Sequence, residues 1–276
     1  MEGPSGLSLR DSQIMSHKEK KVIYYTDELS DDFAGTNIHA KPVDDRFKFL
    51  HTSLLWRVCS NLLYYGVAVP AVWLFMRVVL GVRFVNRSAV KACKTPCFLY
   101  GNHTDFIDAF IPNLLSLPHR NHILVGADTV SIPGLRTIVQ MFGALPLPTG
   151  SKGWRKFLAA LDVYRKRANV TVYPEAHIWR FYTGVRNFPD TSFAYPIRFG
   201  MPTVAFFTAY SEPKKSLAFW RKATITVYVS DPMYPLEGVS EPEARRDLRD
   251  RVYAFMKEKS ALSDYEIIHY ERREPS

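Results

Sequence analysis

The 276 residues are 47% hydrophobic, enough for one large core and too apolar for a disordered chain. A formal net charge of +9 asks for an anionic partner, and charge alone leaves nucleic acid, a phosphorylated substrate and an anionic membrane open. The three cysteines, Cys59, Cys93 and Cys97, form neither a metal-ligand pair nor an even disulfide framework, which excludes a disulfide-stapled fold and points to a reducing compartment.

Residues 1–50 read as a polar N-terminal extension. The opening "MEGPSGLSLRDSQIMSHKEKK" lacks the charged-then-apolar pattern of a secretory signal. Met15, followed by "SHKEKKVIYY", reads as an alternative start, which would make residues 1–14 an upstream extension without a fold of its own.

Residues 51–80 have a different character. From Val58 to Met76, 19 consecutive residues carry no charge, and Arg57 and Arg77 bracket them. A straight helix of that length is about 28 Å long, barely the thickness of a bilayer's hydrocarbon core. Gly66 and Pro70 near its middle argue for a bend, because proline removes a helical donor and clashes with the preceding turn. The expectation is a membrane-associated helical hairpin in one leaflet or a single short span, at the cytoplasmic face; a buried core helix is the competing reading. Trp56, Tyr64, Tyr65 and Trp73 suit an interface, and the flanking arginines can snorkel to headgroups.

From residue 81 to 276 the pattern is that of an α/β domain with a mixed central sheet flanked by helices. Short apolar runs recur: "CFLYG", "HILVG", "GALPLP", "VTVYP", "PTVAFFTAY" and "TITVYVS". Their lack of strict alternation predicts strands covered on both faces. Helices are predicted around residues 106–117, 134–141 and 153–167. A last helix is marked by Ser240 and Glu243 as a capping box, Pro242 in the first turn, and Leu248, Val252 and Phe255 as its apolar stripe.

Chemistry concentrates in "LYGNHTDFIDAF", residues 99–110. His103 and Asp108 have the spacing His-x4-Asp, which is weak by itself, since His39 and Asp44 share it. Context separates the two. Pro42 interrupts the first pair and no strand precedes it, whereas His103 follows a strand at the position where open α/β sheets place ligands. Two readings of this stretch stand side by side. Asp105 and Asp108 can be N-cap and N3 residues compensating a helix dipole. Alternatively, Asp108 holds one ring nitrogen of His103 while the other takes a proton from a hydroxyl.

"NHTDFID" resembles the first signature block of the glycerolipid acyltransferases, the 1-acylglycerol-3-phosphate acyltransferase group. Three further stretches are similar to the later blocks in order: "SIPGLRTIVQMFGALPL", "VTVYPEAHIWR" with Pro174 and Glu175 matching, and "AYPIRFGMPTVAFF". The resemblance implies an α/β acyltransferase domain and attack of a lipid or glycerol hydroxyl on a thioester. The donor would be acyl-CoA or acyl-carrier protein, and the acceptor a lysophospholipid, with lysophosphatidate first. His103 would be the general base, Asp108 its partner, and Asn102 and Glu175 substrate-site residues. No cofactor is implied.

The chain departs from the family where the acceptor phosphate would bind. "GALPLPTG" has no arginine, and Glu175 is followed by Ala176, His177 and Ile178 rather than by the family's Gly-Thr-Arg. Either Lys152, Arg155, Arg180 and Arg186 supply substitute cations, with Arg180 and Arg186 favoured because they flank the Glu175 turn, or the acceptor is another lysophospholipid or a glycolipid. Glu175 and His177 lack a third ligand at helical spacing, so no metal is expected. A non-catalytic lipid-binding protein remains the reading of another class. Nucleic acid is not expected as a partner, because no basic stripe with stacking aromatics lies on a recognisable module. An anionic membrane surface is.

Overall fold

The computed structural model describes residues 21–33, 38–213 and 220–273. The alternative start at Met15 falls outside them. A seven-stranded sheet has the order β2 (Arg83–Val85), β8 (Thr224–Val229), β7 (Thr203–Ser211), β3 (Phe98–Gly101), β6 (Ala168–Val172), β4 (Arg120–Val125), β5 (Ala144–Pro146). Every neighbouring pair is parallel except β7 with β8. The expected mixed sheet flanked by helices is therefore present.

Both faces of the sheet are covered, which explains the runs without polar alternation. Along β3, Phe98 and Tyr100 enter one core with Phe157, Leu161, Phe193, Leu248 and Val252. Leu99 enters the other, with Ile111, Leu114, Val204, Phe206 and Met76. The chain leaves β3 through a 3-10 turn, Phe106–Phe110, and the helix Ile111–Leu115 on that second face. It leaves β6 towards the first face, where Phe193 and the helix Ala194–Phe199 pack. Adjacent strands whose connections depart over opposite faces leave a crevice at their carboxyl ends, where open α/β sheets bind ligands.

The remaining helices fall near their predicted places: Arg136–Met141, Trp154–Tyr164 and Glu241–Ser260. Ser240 stands at the N-cap of the last one but makes no side-chain cap bond, so the expected capping box does not form. Its buried stripe is Ala244, Leu248, Val252 and Met256, with Phe255 at the margin.

Two expectations are corrected. Leu54–Val79 is one continuous helix of 26 residues, not a hairpin. π-helical turns at Leu62–Ala68 and Phe75–Val79 flank an α segment with Pro70 in its first turn, and the Val69 amide bonds to the Tyr64 carbonyl five residues back. The extra residue wound into the turn ahead of Pro70 absorbs the missing donor and spaces the ring from its neighbours. Residues 21–50, in turn, are no mere extension. Lys21–Tyr25 forms β1, parallel to β9 (Ile268–Arg272) in a small second sheet, and Val43, Phe47 and Phe49 enter the main core. The inward residues there are spaced among charges, so local composition reads as polar.

The long helix lies along the α/β body. Ser60 donates to the Met141 carbonyl, the Tyr64 hydroxyl to Asn113, and the Tyr65 hydroxyl to the Pro118 carbonyl. Arg221 closes the far end on the carbonyls of Val78 and Val79. Only 11% of its most apolar window is buried, which rules out an ordinary core helix. Leu54, Leu55, Val58, Leu62, Trp73 and Leu74 face outward.

Candidate active site

His103 stands two residues past β3, and Glu175 three past β6, so the crevice is built from the ends of the two central strands. Gly101 ends β3 where a Cβ would come 2.1 Å from the Phe206 ring, so the chain can turn there only without a side chain. Asn102 is buried and exchanges two hydrogen bonds with the Thr208 backbone of β7, at 3.2 and 2.8 Å. Its amide imitates one more step of strand pairing and aims away from the crevice.

The capping geometry of the first reading and the Asp108–His103 contact of the second meet on one oxygen. Asp105 is the N-cap and accepts from the Ile107 amide at 3.2 Å; Asp108 at N3 accepts the Asp105 amide at 2.8 Å, completing a capping box. The same Asp108 Oδ2 accepts the Thr104 amide at 2.5 Å and lies 3.4 Å from His103 Nδ1. Asp108 is buried, so its charge is spent on these groups. Pointing Nδ1 at the carboxylate leaves Nε2 as the ring nitrogen turned from it, on a side chain that keeps 16% exposure. The ring is steadied by Tyr173, stacked at 4.4 Å, whose hydroxyl donates to the Asp108 carbonyl at 2.5 Å.

Glu175 is buried and works on backbone. Its Oε2 accepts from the His103 amide at 3.1 Å, its Oε1 from the Arg186 amide at 3.1 Å, and the Arg186 guanidinium pairs with it at 3.2 Å. Burial pushes its carboxyl above the usual range, opposed first by Arg186 and then by the amides. The loop after β6 is zipped to the loop after β3 by two more bonds, Trp179 amide to His103 carbonyl and Phe181 amide to Thr104 carbonyl.

The sequence-predicted cations separate sharply. Arg186 has no exposed surface; its guanidinium is held by Glu175 and the His177 carbonyl, 4.9 Å from the Trp179 ring centroid. A phosphate arriving from solvent cannot reach it in this conformation. Arg180 is 44% exposed and lies 3.9 Å from Asp105 beside the dyad. Burial raises the Asp105 carboxyl and the Asp108 charge adds to the rise, while the Ile107 amide and Arg180 oppose it. Lys152 and Arg155 are exposed past β5, at the same edge of the sheet. His177 pairs with Asp32 at 3.6 Å, and the decoy His39 is exposed while Asp44 accepts from the Arg46 amide.

Three contributors escape a linear reading: Tyr173 under the imidazole, and Thr104 with Tyr210, whose hydroxyls meet at 2.7 Å behind Asp108. Only Tyr173 had a local signal, at the mouth of a strand directly before Pro174. A narrow cleft runs beside Asp105 and Asp108 between Met76 of the long helix and Ile107, Ile111, Phe181 and Ile225.

The α/β fold, with its mostly parallel sheet flanked by helices, is shared with a solved enzyme. The chain shares its fold with the 1-acyl-sn-glycerophosphate (LPA) acyltransferase PlsC from Thermotoga maritima, at a TM-score of 0.50 and 16% identity, over 75% of this chain and 94% of that one. No family model and no curated protein matches the sequence.

Proposed function

We propose that the protein is a membrane-associated O-acyltransferase that transfers a fatty acyl group from acyl-CoA or acyl-carrier protein to the hydroxyl of 1-acyl-glycerol 3-phosphate, in phospholipid synthesis. The observation that carries the reading is the His103–Asp108 pair at the carboxyl ends of the central strands, on a fold shared with an acyltransferase. His103 Nε2 takes the acceptor's hydroxyl proton as its oxygen attacks the thioester carbonyl. The carbon–sulfur bond then breaks, and the leaving thiolate receives the proton back from the imidazolium. Asp108 stabilises that imidazolium and sets the tautomer. Glu175 acts by holding the His103 backbone, and Asn102 by fixing the strand end.

Arg180 is the better candidate for the acceptor's phosphate, by its exposure and its place beside the dyad. Lys152 and Arg155, past β5 and three strands along from β3, do not suit a phosphate that sits only a few bonds from the reacting hydroxyl. The outward face of Leu54–Val79 suits insertion into one leaflet. A helix tied to the body from Ser60 to Val79, about 28 Å of its length, lies parallel to the domain surface, so that a perpendicular span would drag the domain into the lipid.

The test is thiol release from acyl-CoA by the purified protein in detergent, with lysophosphatidate, glycerol 3-phosphate, lysophosphatidylcholine, a lysoglycolipid or no acceptor. Release that depends on lysophosphatidate is expected. The absence of both family arginines favours a second reading, transfer to another lysophospholipid or a glycolipid, and the same panel separates the two. Silence with acyl-CoA and carrier-protein donors alike would leave a non-catalytic lipid-binding protein.

A further inference from the structure

A second cavity opens on the same edge of the sheet, two strands along from His103. It has a volume of about 200 Å³ and lies between the segment Lys41–Phe47 and the turn that follows β4, with Lys41, Phe47, Val130, Ser131, Pro133 and Arg136 among its walls. Its lining includes two cations and no carboxylate. Among the described residues neither Lys41 nor Arg136 is in an ion pair, so their charges are available to a ligand.

The walls are fixed rather than draped. The Lys41 amide donates to Ser131 Oγ at 2.8 Å, the Val43 amide to Thr149 Oγ1 at 2.9 Å, and the Thr149 amide returns to the Val43 carbonyl at 3.0 Å. Val43 and Phe47 anchor the segment in the core. The Arg136 guanidinium lies 4.5 Å from the Phe47 ring centroid, a contact that orients its fork while the side chain stays exposed. An oriented guanidinium beside a lysine, over apolar walls, suits a phosphate attached to a flat apolar group.

Position decides which substrate can use it. From β3 across β6 to β4 is two strand spacings, roughly 10 Å along the sheet. A glycerol phosphate acceptor carries its phosphorus only a few bonds from the reacting hydroxyl and cannot bridge that gap. A CoA thioester carries its phosphorylated nucleotide at the far end of a long flexible arm, and can. We propose, resting on the acyl-transfer reading, that this cavity is the docking site for the phosphorylated nucleotide of a CoA thioester, with Lys41 and Arg136 holding its phosphates.

The experiment is calorimetric titration of the intact protein in detergent with adenosine 3′,5′-bisphosphate, alongside donor and acceptor kinetics. Saturable binding is expected, weakened about tenfold or more in Lys41→Ala/Arg136→Ala with an unchanged melting temperature. The KM for acyl-CoA should rise with it while that of the acceptor holds. Lys91→Ala, on the exposed face of Ala89–Ala92 ahead of β3, should bind as the parent does. Equal binding in the double variant and the parent would overturn the proposal. So would a rise confined to the acceptor's KM, which would assign the cavity to acceptor phosphate, or turnover of a carrier-protein donor with no bisphosphate binding. Bisphosphate binding that needs both cations, in a protein that transfers no acyl group, would sink the transferase reading and leave the nucleotide site standing.

Discussion

Asp108 Oδ2 serves His103 Nδ1, at 3.4 Å, and the Asp105 amide, at 2.8 Å, at the same time. One carboxylate therefore starts a helix turn and orients an imidazole, so its removal has two separable effects. Asp108→Asn should lose about 1 kcal/mol of stability, the worth of a cap, and on the order of 10²- to 10⁴-fold in rate. His103→Ala should lose a similar rate with little change in melting temperature, and His39→Ala should change neither. Thiol release and thermal melts on the three proteins check this; an active His103→Ala enzyme would sink the mechanism.

Arg180 and Arg186 flank the same turn and should respond oppositely. Arg186→Ala leaves a buried Glu175 unpaired, a loss on the order of 3–5 kcal/mol. It should melt early and lose donor and acceptor turnover together. Arg180→Ala should melt normally and raise the acceptor's KM above the donor's. If Arg186→Ala were fully stable, the ion pair would not be the support it is argued to be.

The long helix should bind membranes by its outward face. Leu62→Glu/Leu74→Glu places two charges there without touching Ser60, Tyr64 or Met76, the residues it buries against the body. Flotation with anionic vesicles should show the parent bound and the variant released, with the fold intact by circular dichroism. Retention of the variant would place the membrane contact elsewhere.

His122 supplies a pH dependence. Burial, reinforced by Arg120, pushes its imidazole down to about 3 from the ordinary 6.5, while the Gly143 carbonyl opposes the fall. The folded state holds it neutral, so the unfolded state binds the extra proton below pH 6.5. Stability is thus fully present above pH 6.5 and falls as pH drops towards 3, by up to about 5 kcal/mol. Melts from pH 7.5 to 4.5 should show His122→Gln less acid-sensitive than the parent. Parallel curves would mean that His122 is not the group responsible.

Much of the fold was legible because strands and caps are local patterns. Apolar runs without alternation announced strands covered on both faces, and Asp105 with Asp108 announced the helix start that the structure contains. The proline in the apolar segment misled, since a π turn can absorb it and nothing local reports that choice. The polar look of residues 21–50 misled in the same way: β1 gains its partner only where β9 returns at the other end of the chain.

The sequence by itself determined the chemistry available at the end of β3, because His103, Asp105 and Asp108 lie within six residues across a loop and a helix start, and their spacing sets which atoms can meet. Only the tertiary structure decided what surrounds them. It turned Asn102 into β7, buried Arg186 against Glu175, left Arg180 at the surface, laid Tyr173 under the imidazole and pressed the long helix onto the body. Each of those depends on where a distant strand brings its neighbour, and burial, which separates a structural cation from a binding one, exists only once the chain has closed around it.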